Sequence, residues 1–99
     1  MTVTHEPDEH RFLIRLPGGD GELLYSSAGP ELLDLYHAEV APALRGRGIA
    51  GALVQAACDY ARAGGMRLMP SCPYVAAWFR RHPEQQDLLI GAPGRTSPA

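Results

Sequence analysis

The sequence has no lysine, little net charge and no long apolar run, and each absence narrows the possible functions. All nine basic residues are arginine, and the formal net charge at pH 7 is −2. A chain so close to neutral has no bulk electrostatic attraction to nucleic acid or to an anionic membrane. No apolar stretch approaches bilayer-spanning length, and residues 1–11 are too polar for a secretory signal. We therefore expect a cytoplasmic protein with neither a nucleic-acid nor a membrane partner.

Cysteine is also scarce. The two cysteines, Cys58 and Cys72, form neither a Cys-x-x-Cys site nor a disulfide framework. This usage fits a reducing compartment, and we expect no metal site.

The rest of the composition is that of one small globular domain. Of the 99 residues, 45% are hydrophobic, which is enough for one modest core and too many for a disordered chain. We predict a single domain over residues 1–90. Residues 91–99 consist mainly of small residues and proline, which predicts a flexible C-terminal tail.

Hydrophobic periodicity and turn residues predict four strands and two helices. The predicted strands are residues 12–16, 22–27, 32–40 and 66–71, and the predicted helices are residues 48–63 and 73–82. A turn over residues 17–21 joins the first two strands, and no strand is assigned to the polar residues 1–10. This order predicts an α/β protein of the α+β type. An antiparallel three-strand meander is followed by a strand–helix–strand crossover and a second helix.

The turn that leads into the first helix is rich in glycine. Gly46 and Gly48 would let an anion approach the backbone without meeting a Cβ, and both tolerate positive φ. The first turn of a helix presents N–H groups without partners and the positive end of the helix dipole. The pattern predicts a phosphate-binding loop, although glycines at this place also serve in ordinary turns.

The loop follows a distinctive motif, in which Val40-Ala41-Pro42 precedes Arg45-Gly46-Arg47-Gly48-Ile49-Ala50. This motif resembles the acetyl-CoA pyrophosphate loop of the GCN5-related N-acetyltransferases. Three further motifs resemble the very short branch of that family: His37-Ala38-Glu39-Val40, Ser71-Cys72-Pro73-Tyr74-Val75 and His82-Pro83-Glu84. The resemblance covers roughly residues 11 to 88. It implies a minimal acetyltransferase fold, acetyl-CoA as the cofactor and an amine as the acceptor.

The resemblance also implies which residues bind the cofactor. They are Val40, Arg45, Gly46, Arg47, Gly48, Ile49, Ala50 and Gly51. Backbone amides of the loop would hold the pyrophosphate, and the two arginines would add charge. The backbone N–H of Val40 would donate to the acetyl carbonyl and stabilise the oxyanion that forms there.

His37 and Glu39 are implied as catalytic residues. Alternation along the strand places both on the face that carries Leu33 and Leu35. A carboxylate at this position can help to remove the proton of the attacking ammonium. Short relatives commonly have threonine where this chain has Ala38, so any hydrogen bond that the threonine hydroxyl makes there has no counterpart in this chain. The alternative is that both residues form the exposed polar end of a half-buried strand.

Cys72 is the third candidate catalytic residue, and it is a departure from the larger family. It directly precedes the helix that starts at Pro73, and a helix N-terminus stabilises a thiolate. Such a thiolate could accept the acetyl group, which would make transfer a two-step, ping-pong reaction. The alternative is a small buried hydrophobe, which is the role that we expect for Cys58.

The family's tyrosine general acid has no counterpart in the later turns of the second helix, which read Trp78-Phe79-Arg80-Arg81. Tyr74 lies a turn too early to be equated with it. The segments that form the acceptor pocket in larger relatives are also missing. The amine could therefore be a small molecule, a peptide N-terminus or a lysine of another protein.

These observations predict an acetyl-CoA-dependent N-acetyltransferase that acts on an unidentified amine, either by direct attack or through Cys72. One alternative is a non-catalytic, regulatory module that binds acyl-CoA. Another is an interaction domain whose sheet edges join two copies. We expect a monomer or a weak homodimer.

Overall fold

The structure is a computed structural model that describes residues 2–91. The strands are β1 (Thr4–Glu6), β2 (Arg11–Leu16), β3 (Gly19–Gly29), β4 (Leu32–Val40) and β5 (Arg67–Met69). The α-helices are α1 (Ile49–Gly64) and α2 (Pro73–Arg81), and short 3₁₀ helices span Pro7–Glu9, Pro42–Leu44 and Pro83–Leu88. Most of the predicted C-terminal tail lies outside the described residues. Within them, no helix is long and apolar enough to cross a membrane.

The five strands form one sheet in the order β1-β2-β3-β4-β5. The first four strands pair antiparallel. β5 pairs parallel with β4, because α1 carries the chain back across the sheet between them. The predicted α+β fold, with its meander, crossover and second helix, is confirmed.

The strand at Thr4–Glu6 was not predicted. It pairs with the start of β2, with Thr4 opposite Leu13 and Glu6 opposite Arg11. Three polar residues before a proline give no periodic signal, so the strand depends on contacts that are distant in sequence. The ring of His5 stacks on Phe12 with 4.3 Å between the centroids. These contacts hold Thr4–Glu6 in a strand, where we had predicted none.

The first hairpin is tighter than the predicted turn over residues 17–21. Leu16 pairs directly with Gly19, so only Pro17 and Gly18 remain in the loop. Gly18 has a φ of 100°, a backbone conformation that favours glycine. β3 therefore starts at Gly19 and runs for 11 residues.

Both α-helices pack on the same face of the sheet. Leu23 and Leu35 of the strands, Leu53 and Val54 of α1, and Phe79 of α2 belong to one buried cluster. Within the described chain no helix covers the opposite face, which we call the open face. Its side chains include Arg11, Leu13, Glu22, Leu24 and Glu39. Leu13 is buried at 4% exposure, yet it lies outside the main cluster.

A β-bulge changes which residues of β4 face the helices. Leu24 pairs with His37 while Tyr25 pairs with Leu35, so Tyr36 is left without a partner on β3. One extra residue reverses the alternation beyond it. The prediction that His37 and Glu39 share a face with Leu33 and Leu35 is therefore wrong.

Candidate functional site

β5 pairs over its whole length with only the first three residues of β4. Their pairing ends at Asp34 and Met69, and the Cys72 N–H then donates to the Leu35 carbonyl at 3.0 Å. Beyond this bond the two elements separate. The last five residues of β4 therefore have β3 on one side and a gap on the other.

The gap exposes hydrogen-bonding groups of the β4 backbone. The Ala41 N–H donates to the Asp20 carbonyl of β3 at 2.9 Å. Because antiparallel pairs alternate, the N–H and C=O groups of Ala38 and Val40 point away from β3 and into the gap. The Arg45 Nε reaches the Val40 carbonyl from that side at 3.4 Å. The Val40 N–H points the same way and can donate to a ligand.

The gap opens into a cavity of about 720 Å³, which we call the cleft. One wall is the end of β4, from His37 to Val40. A second wall is the glycine loop with the first turn of α1, and Tyr74 of α2 contributes a third. The volume lies in the range of cavities that bind cofactors and small molecules.

The glycine loop combines open space with free backbone donors. Gly46 and Gly48 have φ angles of 83° and 76°, and a Cβ at either position would meet no described protein atom within 4 Å. Among the described residues no side chain caps α1, and its first turn has no acidic residue. The Ala52 N–H makes the first intrahelical bond, to Gly48. The N–H groups before it are available to an anion.

The predicted loop residues differ in their position relative to the cleft. Arg45, Gly46, Gly48 and Ala50 line the cleft, whereas Arg47 is exposed and lies outside its lining.

Two of the predicted residues have packing roles. The Ile49 side chain is buried at 2% exposure, although the residue borders the cleft. Gly51 faces α2, because a Cβ there would lie 3.3 Å from the Trp78 Nε1. Gly51 therefore allows the close approach of two helices.

His37 and Glu39 lie together at the mouth of the cleft, on the open face. The His37 Nε2 and the Glu39 Oε1 are 3.3 Å apart, and the two side chains are 49% and 68% exposed. Both residues also line the cleft. A polar contact this exposed adds little to the stability of the fold. The pair is accessible to a ligand and to solvent.

The two cysteines are both buried. Cys58 is fully buried in α1, and burial raises the pKa of its thiol to about 12, so its predicted place in the core is confirmed. Cys72 precedes α2 as predicted, but its side chain is only 7% exposed and belongs to the hydrophobic cluster. It is not among the residues that line the cleft. No group of described residues could hold a metal ion.

Tyr74 was set aside in the sequence, yet it lines the cleft. Its hydroxyl lies 3.8 Å from the place of a Cβ on Gly51, against the first turn of α1. Trp78, one helical turn later, is directed into the core. The spacing of Tyr74 and Trp78 by four residues places both on one helix face. This four-residue spacing was the signal in the sequence that could have identified Tyr74 as a residue of the cleft.

His82 ends α2 and lies outside the cleft lining. Its Nδ1–H donates to the Trp78 carbonyl at 2.8 Å, and its ring stacks on the indole with 3.9 Å between centroids. These contacts fit helix capping and packing.

Comparison with known proteins agrees with this architecture. A model of the GCN5-related N-acetyltransferase family matches residues 11–88. Protein NATD1 from Bos taurus is 36% identical over 90 residues, which cover 89% of this chain and 80% of that protein. Protein NATD1 from Danio rerio is 34% identical over 90 residues, covering 89% and 82%.

The fold has a solved counterpart. The solution structure of a GCN5-like protein from Staphylococcus aureus matches with a TM-score of 0.73. The match covers 99% of this chain and 96% of that one, at 19% identity, which shows a shared fold. The family match over residues 11–88 and the NATD1 relatives show more than a shared fold: the chain belongs to the GCN5-related N-acetyltransferase family.

Proposed function

We propose that this protein is an acetyl-CoA-dependent N-acetyltransferase. The observation that carries the proposal is the cleft, which joins a glycine loop with free backbone donors to a strand edge with free backbone groups. Acetyl-CoA has a pyrophosphate, an amide-containing arm and a thioester in that order. The cleft offers a group suited to each part.

The residues of the cleft fit this cofactor in chemistry as well as in order. Backbone N–H groups of the loop and the first turn of α1 would hold the pyrophosphate, with the charge of Arg45 and Arg47 nearby. The free edge of β4 would pair with the arm. The Val40 N–H would donate to the acetyl carbonyl and stabilise negative charge on its oxygen. Acetyl-CoA itself supplies an activated thioester.

Proton transfer would involve the residues at the cleft mouth. Glu39, with His37 beside it, would accept the proton of the acceptor ammonium directly or through water. The Tyr74 hydroxyl is a candidate donor to the leaving thiolate, since it lies in the cleft wall. In this assignment, Tyr74 takes the role of the family's tyrosine general acid, which is absent from the later turns of α2.

Direct transfer and transfer through Cys72 predict different effects of removing the Cys72 thiol. Burial of Cys72 in the hydrophobic cluster favours direct attack by the amine. Cys72→Ala should then retain turnover, and the wild-type protein should show no acetyl-enzyme. Because the chain has no lysine, an acetyl adduct in the intact mass cannot be a lysine adduct. A mapped Cys72 adduct that forms and decays during turnover would support the two-step route.

A non-catalytic module that binds acyl-CoA is the second candidate. The exposure of His37 and Glu39 favours it, because water is not excluded from the groups that would transfer the proton. Release of CoA in the presence of amines, followed by chromatography, distinguishes the two. Amine-dependent release is expected for a transferase, and tight binding without release would establish the module instead.

A further inference from the structure

A second cavity, of about 270 Å³, lies on the open face of the sheet. Its lining consists of Arg11, Leu13, Asp20, Glu22, Glu39 and Ala41, and we call it the acceptor groove. Glu39 lines both this groove and the cleft. A ligand in the groove would therefore reach the end of the cleft where the Val40 N–H is free.

The groove has an apolar floor. Leu13 is 4% exposed although it lies outside the main core, and Ala41 lies beside the start of β3, where its N–H bonds to Asp20. Around this floor stand polar residues of β2, β3 and β4. A floor of this kind suits a hydrocarbon chain with a polar group at each end.

The rim of the groove carries more negative than positive charge. Glu22 and Glu39 are direct cross-strand partners, and like charges in that position are destabilising. Arg11 compensates Glu22 at 3.2 Å, but it also pairs with Glu6 at 2.6 Å. The Asp20 carboxylate has no hydrogen bond or ion pair to any described residue. A cation in the groove would relieve the repulsion and pair with Asp20.

We propose that this groove binds the acetyl acceptor, and that the acceptor is an alkyl amine with a second positive charge. This inference rests on the proposed function. The reacting amine lies at Glu39, where the two cavities meet, and the second charge lies between Asp20 and Glu22. A free diamine and a lysine side chain next to another basic residue share this chemistry.

The reaction balances with these groups. After the ammonium loses a proton to Glu39 or water, the nitrogen lone pair forms the C–N bond with the acetyl carbon. The C–S bond then breaks, and its electron pair stays on sulfur. The thiolate of CoA takes up one proton, so no further reactant is needed.

The test compares two acceptors of equal chain length, 1,4-diaminobutane and n-butylamine. We expect the wild-type protein to prefer the diamine by about tenfold in kcat/KM, since the exposed Asp20 and the half-buried Glu22 each contribute a modest attraction. The preference should shrink as sodium chloride is raised, because exposed charges are screened. Equal kcat/KM for the two amines would overturn the proposal.

A matched pair of variants locates the effect. Asp20→Asn removes a groove charge that has no described partner, and it should lower the preference for the diamine by about threefold. Glu31→Gln removes the same charge from an exposed turn outside the groove and should leave the preference as it is. An equal effect of both variants would assign the preference to net charge and overturn the groove.

Two further arms separate the possible failures. Lysyl-lysine amide as acceptor distinguishes a peptide source from the free diamine, and a lack of reaction with both acceptors would contradict the inference. Without acetyl-CoA, an NMR titration with 1,4-diaminobutane should shift the amides of Asp20, Glu22 and Glu39. Such binding without turnover would reject the transferase and keep the cation site, whereas turnover without these shifts would reject the groove.

Discussion

At the scale of single residues, the surroundings of a side chain decide its chemistry more than its type does. Cys58 and Cys72 belong to the same buried cluster, but only Cys72 retains some exposure, at 7% against 0%. Burial raises the pKa of the Cys58 thiol to about 12. A thiol with such a pKa is almost entirely protonated at neutral pH and does not react.

Alkylation of the native protein tests this difference. With iodoacetamide at pH 7, we expect label on Cys72 at least about tenfold faster than on Cys58, because reaction requires an accessible thiolate. Peptide mass spectrometry measures both rates, and Cys72→Ala isolates the rate of Cys58. Similar rates at the two sites would contradict the burial described here.

His5 offers a prediction about pH. Its Nε2 lies 2.6 Å from the Tyr25 hydroxyl, its ring stacks on Phe12, and burial lowers its pKa below the ordinary 6.5. As the pH falls, His5 is therefore protonated in the unfolded chain at a higher pH than in the folded protein. Stability contributed by neutral His5 is complete above about pH 6.5 and declines as the pH falls towards the folded-state pKa.

Urea denaturation at pH 7.5 and pH 5.5 measures this contribution. The wild-type protein should lose more stability between the two values than His5→Phe, which keeps an aromatic ring but cannot be protonated. The other histidines, including His10, which stacks on Tyr25, are present in both proteins. Their contributions to the pH dependence therefore cancel in the comparison. Identical pH dependence in both proteins would remove His5 as a source of acid sensitivity.

At the scale of elements, the parts of the fold with strong local signals could be predicted and the others could not. The glycine loop, both helices and the three central strands follow from periodicity and turn residues. The bulge at Tyr36 has no signature in an alternating pattern. It arises from tertiary pairing, and it reverses the face on which His37 and Glu39 lie.

The start of α1 depends on one contact that the sequence did not indicate. Gly21 is buried in β3, and a Cβ there would lie 2.7 Å from the Ile49 Cγ2. Isoleucine in a helix has essentially one χ1 rotamer, so it cannot easily move aside. Gly21 therefore sets how closely the first turn of α1, and with it the glycine loop, approaches the sheet.

Substitution of this glycine should displace the helix. Gly21→Ala is expected to reduce the free energy of unfolding by about 1–3 kcal/mol, because the added methyl group overpacks the contact. Gly29→Ala in the same strand is the control, since its Cβ would meet only the Leu32 Cβ at 3.7 Å. Urea denaturation compares the two, and equal loss would exclude close packing as the reason for glycine at position 21.

At the scale of the whole molecule, a sheet with helices on one face explains how so short a chain can hold both the cleft and the acceptor groove. Leu53 of α1 and Phe79 of α2 share one core beneath the sheet, while Glu22 and Glu39 remain on the open face. The cleft and the acceptor groove meet at Glu39. The sequence could predict the glycine loop, because its turn chemistry is local. It could not predict the groove, whose residues come from three strands.

The account rests above all on the claim that the glycine loop binds the phosphates of acetyl-CoA. Gly48 and Gly65 lie at opposite ends of α1, with φ angles of 76° and 67° and open space around each. Alanine at either position should cost a similar backbone strain of about 1–2 kcal/mol. Only Gly48 borders the cleft, so only there would the methyl group meet a phosphate.

The decisive measurement is the Kd for acetyl-CoA, by isothermal titration calorimetry, of the wild-type protein, Gly48→Ala and Gly65→Ala. We predict that Gly48→Ala raises the Kd by about tenfold or more, a loss of at least ~1.4 kcal/mol, while Gly65→Ala binds like the wild-type protein. An unchanged Kd in Gly48→Ala, or equal losses in both variants, would contradict the assignment of the loop.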